Sequence, residues 1–394
     1  MENSEARIVS CTAGKFLGQK KERCGNEEVV RAYNSRADST NSERFSAVTA
    51  PEDNKDDRID AVRFADTVCR WQLEKGRRNL PWFTEDPYRR WLSEIMLQQT
   101  QVSVVREYFA RFLEAFPTVE DLAGADSESV MRLWAGLGYY SRARNLHKAA
   151  GEVAQAGRFP RTAREWEKLP GVGGSTAAAL ASFCSGEAAG VCDGNVKRVL
   201  ARLYALEEPV DRPRTARFLK EEADRLVSRT SPGTFNQAMM DLGAMICTRS
   251  SPRCSECPVS DCCRAHALGK ETDYPKKTPP KARKRALVHA LLCVEKDEAG
   301  HRVWLVRRQN VERGMGHWKG LWSLPETEHP QGREIARIEH VMSHVTLELA
   351  VHAAGRGELP ADAFAVDVSE LADAPLPAPV EKLLSTLVFD RQLL

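Results

Sequence analysis

From about Asp60 to His266, apolar residues recur at three- and four-residue steps, the period of amphipathic helices. Trp91, Leu92 and Ile95 form one stripe, and Val102, Val105, Phe109, Phe112 and Leu113 the next. Pro117, Gly136, Gly138, Pro160, Pro170 and Pro232 interrupt the pattern as turns. The spacing predicts a helix over Thr176–Cys184, with Ala177, Leu180, Ala181 and Cys184 on its apolar side. Asp193-Gly194-Asn195 breaks the pattern, and a second amphipathic helix begins at Val196, carrying Val199, Leu200 and Leu203. After Tyr274 the period shortens. Leu287–Val294 and Val303–Arg307 read as strands joined by a hairpin at Asp297-Glu298-Ala299-Gly300. Gly320–Glu326, an extended run at Val345–Val351 and a closing helix near Val380–Val388 complete a small α+β region.

The chain therefore divides into an all-α region over 58–273 and an α+β region over 286–394. Residues 274–285 form a basic, Pro-rich linker between them. Residues 1–57 mix Ser, Asn, Lys and Glu without sustained periodicity and read as a disordered tail.

Charge changes this picture only locally. Among 394 residues, 57 basic and 55 acidic side chains leave a net charge of +2. The total does not announce a nucleic-acid binder, but KKTPPKARKR at 276–285 concentrates cations. No apolar run approaches the roughly 18–20 residues that span a bilayer, and the N-terminus lacks a signal-peptide core. Of 11 cysteines, Cys247, Cys254, Cys257, Cys262 and Cys263 crowd together, which fits a metal or cluster site in a reducing compartment better than a disulfide scaffold.

Candidate chemistry sits in four places. Leu169-Pro170-Gly171-Val172-Gly173-Gly174-Ser175-Thr176 is a tight turn between helices, where Gly171 and Gly173 allow unpaired N–H groups to face an anion. Glu94 shares a helix face with Trp91 and Gln98 among uncharged neighbours. A carboxyl there is either a solvated surface group or one with a raised pKa, suited to general acid work. Asp193 precedes a helix, so it reads as an N-cap that could also present a carboxylate to a sugar. In Gly136-Leu137-Gly138-Tyr139-Tyr140-Ser141-Arg142, the tyrosines are either core residues or an aromatic wedge for a base stack, with Arg142 on phosphate.

The cysteine spacing is the sharpest of these signals. Cys247, Cys254, Cys257 and Cys263 follow C-x6-C-x2-C-x5-C. Four thiolates so close can enclose a [4Fe–4S] cluster; a four-cysteine zinc site is the competitor, though it typically uses two C-x2-C pairs. Cys262 beside Cys263 leaves the fourth ligand open.

LSEIMLQQTQ around Glu94, GLGYYSRARNLHKAA, LPGVGGSTA, DGNVKRVLAR, FNQAMMDLGAMICTRS and the cysteine spacing together resemble the adenine DNA glycosylase (MutY) family of the helix-hairpin-helix superfamily. The likeness is dense from about Asp60 to Arg264 and thinner beyond. It implies a mainly α fold: a helix-hairpin-helix glycosylase domain with an iron–sulfur cluster loop, then a small α+β Nudix-like domain. It implies a monofunctional enzyme excising adenine opposite 8-oxoguanine or guanine in double-stranded DNA, acting as a monomer away from membranes. By the same resemblance, Glu94 protonates the adenine and assists the water. Asp193 stabilises the sugar cation and Asn195 orders the acidic site. Gln98, Gln99 and Tyr139 probe the base stack, and Lys197 lies near the site. A [4Fe–4S] cluster is the implied cofactor. Ser175 stands where bifunctional relatives such as endonuclease III carry a Schiff-base lysine. In the C-terminal region, Gly320-Leu321-Trp322, Leu324-Pro325-Glu326 and His340-Val341-Met342-Ser343-His344 match the 8-oxoguanine-reading domain, with Ser343 and His344 as its contacts and Met342 in place of phenylalanine.

Two rivals remain open on the sequence. One is an endonuclease III-like enzyme for oxidised pyrimidines, against which the GYYSRAR segment and the C-terminal domain argue. The other is a catalytically silent damage binder, against which the Glu94 and Asp193 pair argues. The expected location is the nucleus, with the mitochondrion as alternative, in a eukaryote, and the cytoplasm or nucleoid in a bacterium. PPKARKR fits a nuclear signal or a phosphate-contacting linker equally well.

Overall fold

The computed structural model describes residues 59–279, 282–297, 300–308, 318–342 and 345–389; the expected N-terminal tail at 1–57 lies outside the described residues. Eleven helices build the first region: α1 (Ala61–Lys75), α2 (Pro87–Leu97), α3 (Val102–Ala115), α4 (Val119–Gly124), α5 (Ser127–Trp134), α6 (Ser141–Ala156), α7 (Ala163–Trp166), α8 (Gly174–Ser185), α9 (Gly194–Leu203), α10 (Pro213–Leu226) and α11 (Pro232–Asp241). Their starts are written in the sequence. Asp60, Asp86 and Asp193 cap α1, α2 and α9, and Thr118 and Thr162 form capping boxes on α4 and α7. A π-helical turn (Leu242–Ile246) and a short helix α12 (Arg264–Ala267) frame the cysteine loop.

Two apolar cores form in this region. One gathers Trp91, Phe112, Trp134, Trp166 and Leu146 from α2 to α7. The other gathers Phe64, Val68, Val196, Leu200, Leu219 and Phe235 from α1 and α9 to α11. Helix α8 belongs to both, placing Ala177, Leu180 and Ala181 in the first core and Ala178 and Ala179 in the second. A helix apolar all round must be buried all round. The two lobes are thus held one alanine-rich helix apart, with Glu94 carried by the first lobe and Asp193 by the second.

The C-terminal region holds two four-stranded sheets. One joins β1 (Lys284–Leu292), β5 (Glu326–Thr327), β6 (Glu334–Val341) and β7 (Val345–Ala353) in the order β5-β1-β7-β6, with β1 parallel to β7. The other pairs β2 (Val294–Asp297), β3 (Gly300–Arg307) and β4 (Trp322–Ser323), with β8 (Phe364–Asp367) on β3. The expected hairpin exists, but between β2 and β3. The run read as one strand, Leu287–Val294, breaks at Cys293, and its first part joins the other sheet. Strand β1 also starts at Lys284, inside the segment expected as linker. β6 (Glu334–Val341) escaped the sequence reading, because it is half-exposed and charged. The closing helix α13 (Ala378–Leu384) continues as a π-helical turn, Ser385–Phe389.

The two regions meet at α5 and α6. Leu321, fully buried, packs into the first helical core. Arg144 donates to the Lys319 carbonyl, Tyr140 Oη to the Leu376 carbonyl at 3.3 Å, and Arg307 pairs with Glu128 at 3.2 Å.

Candidate active site

Glu94 lies on the last turns of α2, partly exposed by area yet walled by protein. Burial pushes its carboxyl up to about 7; the Arg90 charge opposes this and the Asp193 charge adds to it. The acid is therefore substantially protonated at neutral pH. Asp193 caps α9 by accepting from Val196 N at 2.8 Å. Burial raises its pKa, while the amides of Val196 and Asn195 and the Arg198 charge hold it down. Capping and carboxylate presentation coexist at this residue.

Asn195 Nδ2 reaches Asp193 Oδ2 at 3.4 Å, and Arg198 holds the Asn195 oxygen at 2.9 Å. Arg198 also donates to the carbonyls of Gly243 at 2.7 Å and Cys247 at 2.9 Å. Gly243 is required here: a Cβ would lie 2.7 Å from the Asn195 Cβ. Arg198 went unremarked in the sequence, although its place one turn past Asn195 was visible. Ser175 Oγ accepts from the Cys192 amide at 3.2 Å, which sets it beside Asp193. Lys197 is half-buried on α9.

The hairpin is turned by one glycine, not two. Gly171 has φ +80°, and a Cβ would lie 2.8 Å from the Asn145 Cβ. Gly173, expected to share that duty, has ordinary φ −89° and open space around it, as the N-cap of α8. Gln98 ties α2 to this hairpin, its amide 3.4 Å from the Gly171 carbonyl and from Thr176 Oγ1.

Two exposed side chains rim the site on strained backbone. Gln99 has φ +58° and Tyr139 φ +48°, and Tyr139 is 51% exposed. The expectation that Arg142 contacts phosphate is corrected by its burial: it is 7% exposed. Its Nη1 donates to the carbonyls of Ile95, Met96 and Gln98, and its Nη2 to those of Leu137 and Gly138 and to Thr100 Oγ1. Ser343 and His344 lie outside the described residues; beside them, Met342 N donates to the Val345 carbonyl at 2.8 Å.

Cys247, Cys254, Cys257 and Cys263 line one pocket with Arg202, His266 and Glu271. Cys262 is not among the lining residues; its sulfur sits 3.4 Å from the Val259 carbonyl. Thiolates sharing one zinc at about 2.3 Å must lie within about 4 Å of one another. Among the described residues the trio whose ligand atoms lie within 4.8 Å of each other is Cys254, His266 and Glu271; no three of the four thiols are that close. The four thiols line one pocket without being drawn together around a single point. Burial, then the neighbouring thiols, push Cys257 up to about 12, so several thiolates here need a compensating cation.

Residues 92–225 match the family described as HhH-GPD superfamily base excision DNA repair protein, and residues 290–386 match a NUDIX domain. An adenine DNA glycosylase of Buchnera aphidicola subsp. Baizongia pistaciae is 33% identical over 302 residues, covering 72% of this chain and 84% of that protein. The Homo sapiens adenine DNA glycosylase is 44% identical over 221 residues, 53% of this chain and 40% of its own length. The chain thus matches most of the bacterial relative and under half of the human one. The solved structure of a thermostable thymine-DNA glycosylase aligns at TM-score 0.48 and 28% identity, covering 53% of this chain and 97% of that one.

Proposed function

This chain belongs to the adenine DNA glycosylase family, and we propose that it removes adenine opposite 8-oxoguanine or guanine by hydrolysis alone. The observation that carries the reading is the coupled carboxyl pair, Glu94 protonated near neutrality and Asp193 facing it from the other lobe.

Adenine leaves poorly as an anion, so departure needs a proton at the base and a negative charge at the sugar. Glu94 donates its proton to adenine N7. The C1′–N9 bond breaks, its electron pair passing to the base, and the Asp193 carboxylate balances the cation left on the sugar. Water attacks C1′ and gives its proton to Glu94, which restores the acid. The sum is water added across one glycosidic bond, with adenine and an abasic strand as products. Ser175 supplies no amine to the sugar where a Schiff-base lysine would stand, so no strand scission accompanies the step. Tyr139 and Gln99, projecting from strained turns, are placed to enter the stack that the extruded base vacates.

Cys247, Cys254, Cys257 and Cys263 would hold a [4Fe–4S] cluster, the reading their C-x6-C-x2-C-x5-C spacing supports. Bound there, the cluster would fix the 247–263 loop against α9, where Arg202 Nη1 meets Cys247 Sγ at 3.2 Å. The C-terminal domain reads 8-oxoguanine across the duplex, with Ser343 and His344 as its contacts.

The test is alkali cleavage of an A:8-oxoguanine duplex, run beside A:G, T:8-oxoguanine and oxidised-pyrimidine duplexes. Cleavage confined to the adenine strand of the first two supports the reading; cleavage only at oxidised pyrimidines overturns it.

A further inference from the structure

Arg90 stands one helical turn before Glu94 on α2, a spacing that sets the two side chains on one face. It is 5% exposed. Its guanidinium lies 4.1 Å from the ring centre of Phe183 and 5.1 Å from that of Phe83. Its Nε and Nη1 are buried without a hydrogen-bond partner. Cations are seldom buried unless paired, and a guanidinium left without acceptors is costly. Stacking on the two rings offsets part of that cost. The remaining compensation must come from charge, and the groups that face Arg90 are Glu94 and the Cys184 thiol on α8.

We propose that Arg90 is a positioning residue for the proton on Glu94: a fixed buried cation that keeps this carboxyl from holding its proton too tightly. The reaction asks Glu94 to release a proton to the base and then take one from water. Burial alone would make it a weak acid, poor at the first duty. Asp193, facing from α9, pushes in the same direction as burial. Of the charged groups around Glu94, Arg90 on its own helix and Asp193 on α9, Arg90 alone favours the ionised form; the Cys184 thiol on α8, pushed up to about 12 chiefly by burial, stays neutral. A mobile surface lysine could not do this, since solvent would screen it. The aromatic seat keeps the charge out of water and at constant distance.

The proposal rests on Glu94 being the acid, and the experiment separates the two. Single-turnover excision of adenine from an A:8-oxoguanine duplex is measured against pH for wild type, Arg90→Met, Arg90→Lys and Glu94→Gln. Arg90→Met should carry the alkaline limb upward by about one pH unit, raising the ratio of the rates at pH 9 and pH 7 roughly fivefold. Arg90→Lys, retaining the charge, should stay close to wild type. A purely structural Arg90 would lower the rate without moving the limb, and a superimposable Arg90→Met profile overturns the proposal. If Arg90→Met does not fold, Phe183→Leu, which unseats the guanidinium, should move the limb in the same direction by less; an unmoved limb there overturns it equally. Full activity in Glu94→Gln would instead remove the assignment of the acid.

Discussion

Arg142 binds the Gln98 carbonyl at 2.7 Å with one terminal nitrogen and the Gly138 carbonyl at 3.0 Å with the other. Gln99 and Tyr139, the residues that follow these two carbonyls, are both in the left-handed region. One buried guanidinium therefore holds two strained turns in register, each presenting a side chain to the same rim. Left-handed backbone at a non-glycine residue persists only when its surroundings over-determine it.

Arg142→Lys should accordingly fail as a conservative change, because an ammonium cannot span acceptors on both turns. Excision should fall roughly a hundredfold through misplacement of the rim. The slope of log affinity against log salt for undamaged duplex should stay at its wild-type value. A slope reduced by about one would mean that Arg142 meets phosphate after all.

The raised pKa of Glu94 also has a stability consequence, with a definite sign. A carboxyl at about 7 in the folded chain and about 4.5 when unfolded binds its proton more tightly in the native state. Its contribution is complete below about pH 4.5 and is lost as pH rises through 7. Denaturant unfolding should show Glu94→Gln gaining on wild type over that window, by up to about 3 kcal/mol at pH 8. The same variant should lose excision at every pH. A constant stability difference across the window would contradict the buried acid.

Ser175 sits against the Cys192 amide with no amine to offer. Wild-type protein should leave abasic strands intact until alkali is added, and borohydride should trap little or no covalent complex with substrate DNA. Abundant trapping would require a lysine elsewhere to reach the sugar.

Cys263 lines the cysteine pocket and Cys262 does not. Cys263→Ser should therefore lose the iron and the broad visible absorption expected of thiolate-bound iron, while Cys262→Ser keeps both. Stoichiometric zinc in the wild type would overturn the cluster assignment.

Leu321 comes from the C-terminal region yet is buried in the first helical core. Leu321→Ala should cost about 2–5 kcal/mol of unfolding free energy. It should also loosen Tyr140 and Arg144, whose partners flank it in sequence or space, and so speed amide exchange in the GYYSRAR segment. Unchanged exchange there would show that the two regions do not support one another.

Much of this was legible in the chain. The Asp193 cap, turn glycines such as Gly136 and the apolar stripes at three- and four-residue steps are local features, and local rules placed them. The pairing of Glu94 with Asp193 was legible through resemblance. The fate of Arg142 was not, because a string of residues does not say which cation lies under a turn and which lies over it. Carbonyls left unpaired where α2 ends and before α6 begins drew it inward. Arg90 carried a readable signal, its four-residue offset from Glu94, but surface helices show the same offset routinely. The parallel pairing of β1 with β7 spans most of the C-terminal region, and no short-range pattern encodes a contact between strands so far apart.

Helix α8 acts as a spacer gauge. Its alanines bring each lobe to within one methyl of the helix backbone, so the gap between the two carboxyls is fixed by side-chain bulk on its opposite sides. Enlarging Ala177 would displace the lobe of Glu94, whereas enlarging Ala178 or Ala179 would displace that of Asp193. The tolerance of this reaction for mutation is therefore set in part by residues that touch neither DNA nor water.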